Sequence, residues 1–226
     1  MGKAVFWDFD GTLVHANESF LSGLDRSLRK YGYTLEREVM RTFLKQVCSW
    51  YLPDKDYVNA TGKAWWDTLL AHVRQFCMEQ GVLESVCSDI CADFRENVIH
   101  YEYEVYEDAA PVLAFCRENG YRNYLLSNNY PELPGVVEDL GLQTYFDGYI
   151  VSANIGYEKP RIELFEYALR MAGWPEHCYM VGDNPVADIG GARAAGMKTV
   201  LVHRAPGAVI PDYRFDCLSQ IMEILD

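Results

Sequence analysis

The second half of the chain alternates between helix-forming segments and short, apolar, β-prone segments, and this alternation constrains the fold most strongly. The predicted strands cover 123–126, 149–152, 178–181 and 197–202, and the predicted helices cover 108–119, 132–140, 161–172 and 186–195. Alternation of this kind favours crossover connections between parallel strands, with helices covering both faces of the sheet. We therefore predict an α/β fold with a Rossmann-like parallel sheet.

One further strand is predicted at residues 3–7, and a long helical block separates it from the alternating half. Apolar residues recur at helical spacing from about Glu18 to Tyr103, and no convincing strand interrupts them. The block therefore looks like an insertion after the first strand of the α/β domain. We predict an α/β core over 1–14 and 105–226, and an inserted all-helical domain over 15–104.

The composition limits the classes of partner. The chain has 226 residues, of which 50% are hydrophobic and 23% are charged, and this is typical of a folded domain. Its net charge of −13 leaves no basic surplus to neutralise the phosphates of a nucleic-acid duplex or an anionic membrane. No apolar run reaches the roughly 18 residues of a membrane span, so we expect neither partner.

The cysteines and the first residues bear on the compartment. Seven cysteines, without a CxxC pair, suggest reduced and mostly packed thiols, and Cys87 and Cys91 are better explained by a buried helix face than by metal binding. Asp8 precedes any apolar region of a signal peptide. We expect a cytoplasmic protein, either a monomer or a homodimer.

Polar and charged residues stand where the predicted strands end. They are Asp8, Asp10, Gly11 and Thr12 after the first strand, Ser127 and Asn128 after the second, and Gly182, Asp183 and Asn184 after the fourth, with Asp188 one helical turn later and Lys159 before a helix. In an open α/β sheet, ligands bind beyond the carboxyl ends of the strands. These residues are therefore the candidate site.

This candidate site contains four aspartates and one lysine. Two unit charges 4 Å apart repel by about 4 kcal/mol at an effective dielectric constant of 20, so the carboxylates need a counter-charge. Carboxylates are hard oxygen ligands of the kind that Mg²⁺ accepts, commonly together with a substrate phosphate. The sequence therefore predicts a divalent cation at this edge of the sheet, with Mg²⁺ as the cofactor.

Four motifs together resemble those of the haloacid dehalogenase superfamily. They are Asp8-Phe9-Asp10-Gly11-Thr12-Leu13, Leu126-Ser127-Asn128, Lys159-Pro160 and Gly182-Asp183-Asn184-Pro185-Val186-Ala187-Asp188, in the family's order. The helical insertion looks like that family's C1-type cap. The resemblance implies a hydrolase in which the cap closes over a site at the strand ends.

The resemblance implies a role for each matching residue. Asp8 matches the nucleophile, which would form an aspartyl-phosphate, and Asp10 matches the general acid/base. Family dehalogenases lack an acid at the second position, because a departing halide needs no proton. Asp10 therefore favours phosphoryl chemistry over dehalogenation.

The remaining motifs supply groups around the phosphate and the metal. Ser127, supported by Asn128, matches the residue that donates a hydrogen bond to the phosphoryl group. Lys159 matches the lysine that offsets the charge of the nucleophile. Asp183 matches the metal-binding acid, together with Asp8 and the backbone carbonyl of Asp10, and Asp188 is expected to hold a metal-bound water or to orient the lysine.

Substrate contacts outside the four motifs are harder to assign. His15 and Asn17 fall in the segment after the first motif and are candidates, with ordinary surface polarity as the alternative. The aromatic pairs Trp50-Tyr51 and Trp65-Trp66 could stack on a base or sugar, but core packing explains them better.

The sequence thus predicts a Mg²⁺-dependent phosphatase that acts on a small phosphorylated metabolite. Three alternatives stay open at this point. A phosphosugar mutase and a phosphonate hydrolase belong to the same superfamily, and the latter uses a cap lysine, for which Lys63 is one candidate. A non-catalytic phosphate-sensing module is the third, although intact acidic motifs argue against it.

Overall fold

The computed structural model describes residues 2–225 and contains one six-stranded sheet in the order β3-β2-β1-β4-β5-β6. All neighbouring strands in this sheet are parallel. The strands are β1 (Lys3–Trp7), β2 (Tyr121–Ser127), β3 (Gly148–Val151), β4 (His177–Gly182), β5 (Lys198–Val202) and β6 (Tyr213–Phe215). The predicted parallel α/β fold is confirmed.

Nine α-helices lie within the described residues. They are α1 (Ser19–Lys30), α2 (Arg37–Val47), α3 (Lys63–Glu79), α4 (Glu84–Ile99), α5 (Ala109–Glu118), α6 (Leu133–Asp139), α7 (Ser152–Ile155), α8 (Ile162–Met171) and α9 (Gly191–Ala194). The first four fall between β1 and α5, and we call residues 19–99 the helical insertion. None of the helices described in residues 2–225 combines the length and apolar character that a membrane crossing requires.

The centre of the sheet explains why β1 reads as a continuous apolar run. Ala4, Val5, Phe6 and Trp7 are all fully buried. Val5 and Trp7 join the larger hydrophobic cluster on one face, while Ala4 and Phe6 join the second cluster on the other face. A strand covered on both faces has no solvent side, so it shows no alternation of polar and apolar residues.

The apolar residues of the helical insertion join the larger hydrophobic cluster, which continues from one face of the sheet. Helix α1 packs on α4, and α3 packs on α4, which buries Leu21, Leu24 and Leu28 of α1. Trp65 and Trp66 are buried in this cluster, and Cys87 and Cys91 are also buried, as predicted. All seven cysteines, each within the described residues, are free.

Two connections join the helical insertion to the sheet domain, and they lie side by side. Val14 and Val105 form an isolated antiparallel bridge, and the His15 amide donates to the Glu104 carbonyl oxygen at 2.8 Å. The predicted domain boundaries, between residues 14 and 15 and between 104 and 105, lie at these contacts. The division into two domains remains a prediction. A separate contact brings the loop before α3 to the sheet domain, where the Tyr57 amide donates to the Gly156 carbonyl oxygen at 2.9 Å.

Two local features differ from the sequence prediction. Strand β6 was not predicted, because three residues are too few to show a strand periodicity and the strand is defined by pairing with β5. The predicted helix over 186–195 is divided into a π-helical segment, Pro185–Gly190, and the short α9.

Candidate active site

The register of the central strands brings the predicted motifs together. Trp7 at the end of β1 lies opposite Leu125 of β2 on one side and Val181 of β4 on the other. Asp8 follows Trp7 directly, and its amide donates to the Val181 carbonyl oxygen at 2.9 Å. The first, second and fourth motifs therefore meet at one edge of the sheet, although more than 100 residues separate the first from the second.

Lys159 lies at the centre of this edge and contacts two carboxylates. Its Nζ is 2.7 Å from Oδ1 of Asp8 and 2.7 Å from Oδ1 of Asp188, and it donates to the Leu126 carbonyl oxygen at 2.9 Å. Burial acts to lower the pKa of Lys159, but the charges of Asp188 and Asp8 outweigh it and raise that pKa above its ordinary value. The lysine is therefore held as a buried cation.

The two second-motif residues have different environments. Ser127 donates from its hydroxyl to Oδ1 of Asp8 at 3.2 Å, so it lies beside the nucleophile candidate. Asn128 makes a reciprocal pair with the backbone of Lys159: its Nδ2 donates to the Lys159 carbonyl oxygen at 3.0 Å, and its Oδ1 accepts from the Lys159 amide at 2.7 Å. Asn128 thus fixes the loop that carries the lysine.

Three carboxylates form a compact cluster that could hold a metal ion. Asp8, Asp183 and Asp188 each offer an oxygen, and these oxygens lie within 4.8 Å of one another. Burial and the nearby Asp8 charge raise the pKa of Asp183 to about 6, and burial also raises the pKa of Asp188. A small divalent cation with a preference for oxygen ligands fits this donor set, because it would supply the positive charge that the buried carboxylates need.

Two glycines allow these carboxylates to approach so closely. Gly11 has a φ of +77°, and a Cβ built on it would lie 2.7 Å from Oδ2 of Asp183. A Cβ on Gly182 would lie 2.1 Å from Oδ2 of Asp188. Any larger residue at either position would displace a carboxylate of the cluster.

Asp10 lies beside this cluster of three carboxylates, and two asparagine side chains hold it in place. Asn17 donates to its Oδ1 at 2.5 Å, and Asn129 donates to its Oδ2 at 2.7 Å. Burial and the Asp8 charge raise the pKa of Asp10 to about 7, although both amide hydrogen bonds favour the ionised form. A carboxyl group that titrates near neutral pH can both give and take a proton.

All these groups line one cavity of about 520 Å³ that the helical insertion covers. From the insertion come polar, apolar and aromatic side chains, among them Ser19, Phe20, Leu21, Arg41, Leu44, Trp50 and Tyr51. Asn17 also lines the cavity, but His15 does not. His15 is exposed and its ring lies 3.8 Å from that of Tyr106, so it is not placed to contact a substrate in this cavity.

Lys63, the cap lysine considered for phosphonate hydrolysis, does not reach this cavity. Its side chain is 87% exposed, and its Nζ pairs with Asp67 at 2.7 Å. It lines a second, separate cavity with Trp66, Arg95 and Glu132.

Comparison with known proteins agrees with the geometry. The family model described as haloacid dehalogenase-like hydrolase matches residues 3–196. The chain belongs to the haloacid dehalogenase-like hydrolases. The family resemblance predicted from the four motifs is therefore confirmed for this hydrolase.

Relatives and solved structures resemble the hydrolase over nearly its whole length. The glyceraldehyde 3-phosphate phosphatase of Methanothermobacter thermautotrophicus is 28% identical over 246 residues, covering 100% of both chains. The pyrimidine 5'-nucleotidase YjjG of Escherichia coli is 27% identical over 234 residues, covering 98% of this chain and 96% of its own. The structure of a 2-haloacid dehalogenase from Pseudomonas syringae has a TM-score of 0.74 at 22% identity and covers 100% of this chain and 98% of its own. That similarity shows the shared fold.

Two residues of the site were not among those predicted from the sequence. Asn129 contacts Asp10, and Arg204 places its Nη2 2.8 Å from Oδ2 of Asp183. Asn129 directly follows the second motif and could have been included with it. Arg204 follows β5, and only the tertiary structure shows what it contacts.

Proposed function

We propose that this hydrolase is a Mg²⁺-dependent phosphatase that cleaves a small phosphorylated metabolite through a covalent intermediate on Asp8. The observation that carries the proposal is Asp10: a half-buried carboxyl group that lines the same cavity as Asp8, and whose pKa burial and the Asp8 charge raise to about 7. Esters of phosphate release an alkoxide, which needs a proton, whereas a halide does not. A dehalogenase therefore has no use for this acid.

In the first half-reaction, an oxygen of Asp8 attacks phosphorus and the ester P–O bond breaks. Asp10 gives its proton to the departing alkoxide oxygen, so the alcohol leaves neutral. In the second half-reaction, a water molecule attacks phosphorus, Asp10 takes the proton of that water, and the bond between phosphorus and Asp8 breaks. Inorganic phosphate leaves, and both aspartates return to their starting states.

During these two half-reactions, Lys159 and Ser127 stabilise the negative charge on Asp8 and on the phosphoryl group. The Lys159 ammonium, 2.7 Å from Asp8 Oδ1, offsets the carboxylate before attack and the phosphoryl oxygens afterwards. The Ser127 hydroxyl lies on the same side of Asp8, and it can turn from Asp8 to a phosphoryl oxygen. Asn128 keeps the lysine loop in place.

The acidic cluster is the proposed site of Mg²⁺. The ligands of the ion would be Asp8, Asp183, Asp188 and the backbone carbonyl of Asp10. Asp188 would then bind the ion itself, whereas the sequence predicts only a contact with a metal-bound water or with the lysine. Bound there, the ion supplies positive charge that lets the carboxylates stay ionised and that stabilises the charge of the phosphoryl group.

The helical insertion is proposed to act as the cap of the site. The proposed cap domain spans residues 15–104. Its side chains contribute much of the cavity lining, so it excludes bulk water and contacts the part of the substrate beyond the phosphate. The seven free cysteines support a reducing compartment such as the cytoplasm. The proposed partner is a small phosphorylated metabolite, and the two relatives aligned over nearly their full length, a pyrimidine 5'-nucleotidase and a glyceraldehyde 3-phosphate phosphatase, support this class.

A turnover assay tests the proposal. The purified chain is given a panel of alkyl, sugar and nucleoside monophosphates and, separately, 2-haloacids, with Mg²⁺ or with a chelator. We expect Mg²⁺-dependent release of inorganic phosphate, no halide, and loss of activity in Asp8→Asn. Phosphorus NMR separates hydrolysis from a mutase reaction, which would give an isomeric ester with little free phosphate. Halide release, or full activity of Asp8→Asn, would contradict the proposal.

A further inference from the structure

Both oxygens of the Asp10 carboxyl accept a hydrogen bond from an asparagine side chain. Asn17 Nδ2 lies 2.5 Å from Oδ1, and Asn129 Nδ2 lies 2.7 Å from Oδ2. None of the four motifs includes either asparagine. The pair therefore needs an explanation beyond the chemistry assigned to the motifs.

The orientation of each amide group is set by a second hydrogen bond. The Ser19 amide donates to Asn17 Oδ1 at 3.0 Å, and the Tyr130 amide donates to Asn129 Oδ1 at 2.9 Å. An oxygen that accepts from a backbone N–H cannot be exchanged with the amide nitrogen. The nitrogen of each asparagine must therefore face Asp10.

The two asparagines are anchored to different parts of the molecule. Asn129 belongs to the sheet domain, where its backbone N–H donates to the Ser152 hydroxyl at 3.0 Å. Asn17 precedes α1, and its bond to the Ser19 amide attaches it to the first residue of that helix. The carboxyl of Asp10 is therefore held between the sheet domain and the start of the helical insertion.

We propose that Asn17 and Asn129 are positioning residues that fix the Asp10 carboxyl for proton transfer, and that Asn17 ties this position to the helical insertion. The inference rests on the acid/base role of Asp10 in the proposed function. A carboxylate oxygen has two lone-pair positions, and each amide occupies one. The proton that Asp10 gives to the leaving group must therefore occupy one of the two remaining positions, and the amides restrict where it points.

This role predicts a dependence on the leaving group. An alkoxide needs a proton as it departs, whereas 4-nitrophenolate is a stable anion that leaves without one. Misplacing a reacting group by about 1 Å costs roughly 100-fold in rate. Asn17→Ala should therefore lower kcat/KM, which reports the steps up to departure of the leaving group, by about 10- to 100-fold for an alkyl phosphate and much less for 4-nitrophenyl phosphate. The maximal rate kcat should fall for both substrates, because Asp10 also takes the proton of the attacking water in the second half-reaction, which the two substrates share.

Asn17→Asp separates the positioning role from a merely structural one. An ionised aspartate keeps the oxygen that accepts from the Ser19 amide, so the start of α1 is preserved, but it has no hydrogen to donate to Asp10. We expect Asn17→Asp to be as impaired on the alkyl phosphate as Asn17→Ala. Asn129→Ala should show the same dependence on the leaving group. Asn119→Ala is the matched control, because Asn119 is exposed at the end of α5 and donates only to the Phe115 carbonyl oxygen.

Circular dichroism and thermal melting first establish that each variant folds. Equal loss of kcat/KM on both phosphates, or a wild-type kcat/KM of Asn17→Asp on the alkyl phosphate, would overturn the inference while leaving the proposed function intact. Asp10→Asn tests the function itself by the same assay. If Asp10→Asn hydrolyses the alkyl phosphate at the wild-type rate, Asp10 is not the acid, and both the inference and that part of the proposed function are wrong.

Discussion

Replacing Asp183 with asparagine should stabilise the metal-free protein while abolishing its activity. The carboxylate of Asp183 lies in the three-aspartate cluster, and burial and the Asp8 charge raise its pKa from 3.8 to about 6. A raised carboxyl pKa means that the ionised group destabilises the folded state. A shift of roughly two units corresponds to about 3 kcal/mol at pH values above both pKa values.

One contact of Asp183 already limits this penalty. Arg204, whose side chain is 51% exposed, pairs with Asp183 and lowers the pKa that burial and Asp8 raise, so the shift of about two units already includes this attraction. We therefore expect Asp183→Asn to be more stable than the wild type by about 3 kcal/mol at pH 8 in chelator. Urea unfolding followed by circular dichroism should show a midpoint about 1 M higher.

The pH dependence supplies the sharper test. The folded wild type binds the Asp183 proton more tightly than the unfolded chain does, so it loses stability as the pH rises from about 4 to about 6. The advantage of Asp183→Asn should therefore be present at pH 8, shrink below about pH 6 and vanish near pH 4. Mg²⁺ should stabilise the wild type at pH 8 far more than the variant. A variant that is less stable than the wild type at pH 8 in chelator would refute this account of the cluster.

Three further predictions follow from the burial of particular groups. Lys159→Met leaves two buried carboxylates without their cation, so we expect a loss of about 3–5 kcal/mol in urea unfolding and loss of phosphate release. Tyr57→Phe removes the hydroxyl that donates to the buried Glu158, whose pKa burial raises, and should cost about 1–3 kcal/mol in the same measurement; a neutral result would show that the buried acid finds another donor. Leu24→Ala opens a cavity in the core of the helical insertion and should lower stability by about 2–5 kcal/mol, while the rate measured well below the melting temperature stays close to that of the wild type.

The candidate site was predictable wherever a residue's role depends on strand order and on which residues follow each strand. Asp8 and Asp183 come directly after parallel strands and Ser127 ends one, so their convergence follows once the sheet is predicted. The roles of Asn17 and Asn129 could not be predicted, because their partner is set by loop conformation beyond the strand ends. His15 is only two residues from Asn17 but is exposed, and its ring packs against that of Tyr106.

The fold, too, has features that the sequence predicts and features that it does not. The central strands are apolar runs long enough to be predicted within one or two positions of their observed ends, and helical spacing predicts that the insertion is helical. Strand β6 has three residues and is recognisable only from its pairing with β5. The π-helical segment at Pro185–Gly190 is likewise a local departure that periodicity does not show.

By itself, the sequence determined a parallel α/β sheet, a helical insertion after its first strand, and a set of acids and a lysine at the strand ends. These follow from local periodicity and chain order, which are properties of contiguous residues. Only the tertiary structure decided that the side chain of Asp188, rather than that of Asp10, completes the cluster with Asp8 and Asp183, that Arg204 faces Asp183, and that two asparagines hold Asp10. Those relations depend on distances between side chains from separate segments, and packing fixes such distances only after the whole chain has folded.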